Sequence, residues 1–245
     1  MSFYRHARLL PGRFRLVLAS FLQRPGLPFA DALSEEAIQS AFDNEEASFA
    51  EDPEAIYTPA VTLWAFLSQV LFKDEQRSCA AAVARVVVLL VASARRPCCS
   101  NTGAYCRARA KLSEKVVRRL TVDLADGCER QLHEQWLWHG RHVYLVDGTT
   151  VSMPDTPENQ EEYPQPGTQQ KGLGFPIARV VVLLSLASGM LADMAMGPYA
   201  GKETGETARL RELLDGFEPG DILLADRYYC SYFMIALLME LGIAL

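Results

Sequence analysis

Apolar positions recur at helical spacing along the first part of the chain and at strand spacing along the last. Ser34, ahead of Glu35-Glu36-Ala37, predicts an N-cap opening a short amphipathic helix. Thr58-Pro59 pairs a capping residue with proline at the first helical position. The helix it opens carries Val61, Leu63, Trp64, Phe66, Leu67, Val70 and Leu71, which cover most of its surface and predict burial. An alanine- and valine-rich helix from about Ser78 to Ala94 is ended by Arg95-Arg96-Pro97. Asn101-Thr102-Gly103 predicts a turn, and Ala104 to Lys111 a short basic helix. Ser113 then caps a long helix to about His133, with Glu114 in its first turn.

The pattern changes near Trp136. His142 to Val146, Val180 to Leu186 and Leu191 to Met196 read as strands. Glu206 to Phe217 has helical spacing, Pro219-Gly220 a turn, and Asp221 to Ala225 a short buried strand. A last helix from Ser231 is expected to run to the chain end without a C-cap glycine. Asp155 to Lys171, with Pro154, Pro157, Pro164 and Pro166, reads as an exposed loop. The order β-β-β-α-β-α departs from the alternation of a doubly wound sheet. The fold expected is α+β, with a helical domain over 1–138 and a mixed-sheet domain over 139–245.

Composition adds little: 49% hydrophobic and 22% charged residues are those of a soluble globular protein. The six cysteines form no CxxC pair, and His139 and His142 lack further ligands at metal spacing. Arg13 and Arg15 break the apolar run of the N-terminus, which argues against a signal peptide. Ala80 to Ala94 contains Arg85 and is too short to span a bilayer. A cytoplasmic protein with no membrane partner is expected.

Charge distribution changes the picture more. The net charge is −6, yet Arg77 to Arg119 holds ten basic residues and one acid, Glu114. A stretch of net charge +9 in an acidic chain can track a phosphate backbone, and Arg107, Arg109, Arg118 and Arg119 are its candidates. The alternative is a set of solvated helix faces.

Asp147 and Asp226 each follow a short apolar strand. Carboxylates at neighbouring strand ends can converge on a divalent cation; aspartates at such positions also cap turns. Tyr144-Leu-Val-Asp147-Gly-Thr-Thr-Val-Ser-Met153 resembles the first catalytic block of IS4-family DDE transposases, and Asp221-Ile-Leu-Leu-Ala-Asp226-Arg-Tyr-Tyr229 resembles the second. Gly197 to Glu206 is similar to the glycine-rich turn before the intervening helix. Tyr57 to Trp64 and Cys79 to Val83 resemble the helical N-terminal domain of such proteins. The resemblance implies an RNase H-like mixed sheet, with Asp147 ending its first strand and Asp226 its fourth, both catalytic and both ligands of Mg²⁺ (or Mn²⁺). It also implies double-stranded DNA of transposon terminal repeats as substrate, allows a homodimer, and sets Arg227 beside the second ligand. Lys171 is a further candidate DNA contact. Tyr228, Tyr229, Tyr232 and Phe233 are expected to pack the final helix on the sheet, base stacking being the alternative. The family's third acid lies in a tyrosine-arginine-glutamate-lysine signature. After Asp226 the only acid is Glu240 and the only basic residue Arg227. An incomplete catalytic domain, cut before the third carboxylate, is therefore expected, with little or no activity. The alternative function is a DNA-binding fragment that occupies transposon ends without catalysis.

Overall fold

The structure, a computed structural model, describes residues 33–49, 55–71, 77–92, 96–168, 170 and 172–245. The expectations for the first 32 residues and for Lys171 lie outside these. The chain divides into two compact units, Met1–Leu120 and Thr121–Leu245. No helix among the described residues is long and apolar enough to cross a membrane.

The first unit holds α1 (Glu35–Asn44), α2 (Pro59–Leu71), α3 (Cys79–Ala92), α4 (Gly103–Arg109) and the start of α5 (Glu114–Glu129). The caps are those the sequence predicts. Ser34 Oγ accepts from the Ala37 amide at 3.1 Å, and Thr58 Oγ1 from the Val61 amide at 3.2 Å. Ile38, Phe42, Trp64, Val83 and Leu90 bury the apolar faces. Among them sits a polar hub. Gln69 is 7% exposed; its Nε2 donates to the Arg77 carbonyl at 2.6 Å, and its Oε1 accepts from the Tyr105 hydroxyl and, at 3.4 Å, from Arg109. A buried amide with its partners present ties α2 to α4 more specifically than apolar contact alone.

The second unit is built on β1 (Val143–Ser152), β2 (Ile177–Ser185), β3 (Leu191–Pro198) and β4 (Ile222–Leu224), in the order β3-β2-β1-β4. β1 to β2 and β2 to β3 are antiparallel, and β4 lies parallel to β1. With helices N-terminal and a mixed four-stranded sheet C-terminal, the fold is α+β and consistent with the RNase H-like expectation. α7 (Glu206–Arg211) and α8 (Tyr232–Glu240) cover one face, burying Val146, Val181, Leu183, Leu210, Leu223, Tyr229, Met234 and Leu238 in one cluster.

Four local expectations need correction. The proline-rich loop contains α6 (Pro157–Glu162), whose cap Thr156 accepts from the Asn159 amide at 3.2 Å. Thr156-Pro157 is the same start signal as Thr58-Pro59, outweighed in the sequence by polar composition. The second correction concerns β1, which does not end at Asp147. Thr149, Thr150 and Val151 continue the ladder against Val180, Arg179 and Ala178, because β-branched residues fit a pleated surface. The third is that α8 stops at Glu240. Gly242 adopts φ 73°, the Ile243 amide reaches back to the Leu238 carbonyl at 2.8 Å, and Ala244 bridges to Ile222 in parallel. This is a left-handed glycine cap that the apolar run concealed. Finally, of the four aromatic residues expected to pack, only Tyr229 is buried; Tyr228, Tyr232 and Phe233 are 57%, 79% and 79% exposed, because α8 is apolar all round but covered on one side.

Burial pushes the Tyr105 hydroxyl up to about 12, against the opposing pull of Arg109. Its folded value lies above the unfolded value of about 10, so its contribution is complete below that pH and is lost as pH rises toward 12. Tyr105→Phe should lower stability by roughly 1–2 kcal/mol at neutral pH. In urea unfolding followed by the helical signal, the gap to the parent should stay constant up to about pH 10 and shrink above it.

Candidate metal centre

Both candidate aspartates lie near the β1–β4 pairing, and the charge of each acts on the Tyr229 hydroxyl. β1 and β4 pair through Val143–Ile222, Tyr144–Leu223 and Leu145–Leu224. Asp147 and Asp226 each lie two residues past the last of these pairs. β4 has ended by then, and Asp226 stands in the turn that follows it. Alternation sends Val146 and its neighbour Leu223 into the core and sets Asp147 on the opposite side. Both aspartates are exposed.

Each carboxylate also serves its local backbone. Asp147 Oδ1 accepts from the Gly148 amide at 2.8 Å, and Asp226 Oδ1 from the Tyr228 amide at 2.8 Å. The second bond closes an Asx turn, so the turn-capping alternative describes Asp226 correctly as far as local geometry goes. Capping engages one oxygen of a carboxylate that has two. A solvated pair of carboxylates fits a hard cation such as Mg²⁺, which keeps several waters and takes one or two carboxylates plus substrate phosphate. Among the described residues, no group of three or more His, Cys, Asp or Glu side chains could hold a metal.

Behind the pair, sequence reasoning missed two residues. Tyr229, 1% exposed, donates its hydroxyl to Glu206 Oε2 at 3.3 Å. Glu206 begins α7, lies over Gly148, and holds Oε1 3.8 Å from Arg179 on β2. Burial raises the Tyr229 hydroxyl well above its usual range, and the negative charges of Glu206, Asp147 and Asp226 add to the rise. The only sequence signal for this cluster is an acid at a helix start after glycine, which reads as an ordinary first-turn acid.

A second acidic grouping lies at the other end of the strands. A cavity of about 500 Å³ is lined by Asp126, Glu129, Asp193, Asp215, Glu218 and Asp221, with His142 and Tyr144. His142 Nδ1 is 2.9 Å from Glu129. Six carboxylates make this cavity a poor neighbour for phosphate.

The basic candidates divide. Arg109 turns inward, reaching Gln69 Oε1 and, at 3.6 Å, Cys79 Sγ, with its guanidinium 5.9 Å from the Tyr105 ring centre. Arg107, Arg118 and Arg119 are exposed, and Arg107 lines a cavity with Tyr57 and Lys111. Arg227 is exposed beside Asp226.

Residues 138–243 match the family model described as a transposase DDE domain. Over this segment, less than half of its length, the chain is similar to the DDE transposase family. The DDE segment holds all four strands, both aspartates and Glu206. The chain is 30% identical over 117 residues to the putative transposase InsZ of Escherichia coli K12, covering 47% of this chain and 38% of that protein. It is 26% identical over 131 residues to the transposase InsG for insertion sequence element IS4 of the same organism, covering 52% of this chain and 28% of that protein. The IS4-family resemblance is thereby borne out. The chain matches well under half the length of either relative. No solved structure matches significantly.

The turn geometry of the DDE segment makes a prediction. Asp226→Asn keeps an acceptor for the Tyr228 amide and should unfold in urea close to the parent. Asp226→Ala removes it and should be less stable by about 1 kcal/mol. Equal stability of the two variants would show that the Asx turn contributes nothing.

Proposed function

We propose that this chain takes part in DNA transposition by metal-dependent phosphodiester cleavage and strand transfer, with Asp147 and Asp226 as metal ligands. The observation that supports the reading is the parallel β1–β4 ladder, which ends two residues before each of two exposed aspartates. Bound there, a divalent cation would polarise the scissile phosphate and lower the pKa of an attacking water or 3′-hydroxyl. The protein's own part is to hold two oxygen donors in a fixed relation and to steer the DNA. Exposed Arg227, next in sequence to Asp226, suits bidentate contact with a phosphate. Arg107, Arg118 and Arg119 supply sequence-independent attraction to the backbone, and Arg109 orders α4 from within. Double-stranded terminal-repeat DNA is the proposed partner, Mg²⁺ or Mn²⁺ the proposed ion, and a homodimer follows the family resemblance. The two functional parts proposed are 1–138 for DNA and 139–245 for chemistry.

Two carboxylates bind a metal weakly and leave a second one unfixed, so the 245-residue chain by itself is expected to cleave little. The lack of a three-member ligand group among the described residues favours this. It also keeps the second reading alive, a DNA-binding fragment that occupies transposon ends without cutting them. The deciding assay is Mg²⁺- or Mn²⁺-dependent nicking of terminal-repeat DNA by the parent and by Asp147→Ala. Weak nicking that disappears in Asp147→Ala supports the catalytic reading. No nicking together with retained binding supports the fragment reading. Robust nicking unaffected by Asp147→Ala overturns the assignment of the site.

The basic residues give a separate prediction. Replacing Arg107, Arg118 and Arg119 together by alanine should weaken binding to specific and random duplexes alike. The slope of log K against log salt should flatten by about 0.9 for each phosphate that is no longer neutralised. Titration at several salt concentrations checks this; an unchanged slope means that other residues neutralise the backbone.

A further inference from the structure

Asp147 and Asp226 sit on separate segments that share no strand hydrogen bonds at their own level. The β1–β4 ladder stops two residues short of both, at Leu145 and Leu224. Beyond Leu224 the chain leaves the sheet, and the turn at 226–231 is closed by its own bonds: Tyr228 amide to Asp226 Oδ1 at 2.8 Å, Tyr229 amide to Asp226 carbonyl at 3.2 Å, Cys230 amide to Arg227 carbonyl at 3.2 Å, and Ser231 amide to Tyr229 carbonyl at 2.8 Å. These bonds shape the turn without fixing its distance from β1.

One polar side chain spans that gap. Glu206 lies so close over Gly148, the residue after Asp147, that a β-carbon there would come within 2.7 Å of Glu206 Cγ. Its Oε2 accepts the hydroxyl of Tyr229, three residues after Asp226, and its Oε1 faces Arg179, which pairs with Thr150 of β1. We propose that Glu206 is a positioning residue for the Asp147–Asp226 pair: its carboxylate clamps the turn that carries Asp226 to the strand that carries Asp147. The proposal rests on the metal-ligand reading of those two aspartates. Glu206 is not itself a ligand in it, in keeping with the absence of a three-member ligand group among the described residues. Gly148 is required for the clamp because any side chain there displaces the Glu206 stem. The Tyr229 ring is 1% exposed, which restricts the access of water to the donor of this bond.

The test is Mn²⁺ binding to the full 245-residue chain, followed by the loss of the free-ion paramagnetic resonance signal well below every variant's thermal midpoint. Asp147→Ala establishes which binding belongs to the pair. Glu206→Ala and Gly148→Ala break the clamp by unrelated routes, one by removing the carboxylate and the other by pushing it aside. Each should weaken Mn²⁺ binding about 10-fold, as removal of groups that orient metal ligands does. The double variant should be no weaker than either single one, because both act on the same interaction. Glu206→Gln keeps an acceptor for Tyr229 and should bind within about threefold of the parent. Destabilisation of the fold alone would lower the thermal midpoint and leave affinity at low temperature untouched. If Asp147→Ala abolishes binding while Glu206→Ala and Gly148→Ala match the parent, the clamp is wrong and the metal reading stands. If Glu206→Gln is as weak as Glu206→Ala, the residue acts through its charge and the clamp is overturned. If Asp147→Ala binds like the parent, the metal reading falls and the clamp falls with it.

Discussion

Three residue pairs of parallel ladder, between β1 and β4, set the geometry on which the candidate site depends. Parallel strands cannot be joined by a tight turn, so β2, β3 and α7 all intervene before the chain returns beside β1. That return is held by burial. Leu223, fully buried, and Val146 lie on the helix-covered face, and Tyr229, Met234 and Leu238 close over them. A slip of β4 by one residue would turn Leu223 out of the core, a penalty that helps to fix the register. The side of the sheet on which Asp147 stands is thus decided by apolar side chains on the other side.

Short ladders fix position well only where they run. β4 has three residues, and both aspartates lie past the last pair, so the sheet alone leaves the Asp226 turn underdetermined. The polar group that links that turn to β1 lies at the rim of an apolar interior, where a single carboxylate meets a glycine, a tyrosine hydroxyl and an arginine. Gln69 does the same service in the helical unit, where one amide joins α2 to α4 through Tyr105 and Arg109. In both units a buried hydroxyl and one acceptor add specificity that hydrophobic packing lacks.

The Gln69 hub also bears on electrostatics. A run of ten basic residues looks uniform in the sequence, yet Arg109 is engaged internally, and Arg85 donates to Ser68 Oγ at 3.1 Å. Local charge counts therefore overstate what a nucleic acid meets. Exposure separates Arg107, Arg118 and Arg119 from Arg109, although all four share one stretch of like charge.

The sequence alone determined what depends on neighbours a few positions away. Ser34, Thr58 and Ser231 cap helices because a side-chain oxygen reaches an amide three residues on, and the strands from Val143, Ile177 and Leu191 follow runs of β-branched and apolar residues. It also marked Asp147 and Asp226 as the acids of interest, through motif blocks that are local strings. Where local signals competed, the reading went astray: proline and polarity hid α6, and an unbroken apolar run hid the glycine cap at Gly242. Tertiary structure alone decided that β1 runs on past Asp147, that Arg109 turns inward, and that Glu206 meets Gly148 and Tyr229. Each of these joins residues far apart in the chain, fixed by strand register and by which faces are buried, and no periodicity within a single segment encodes it.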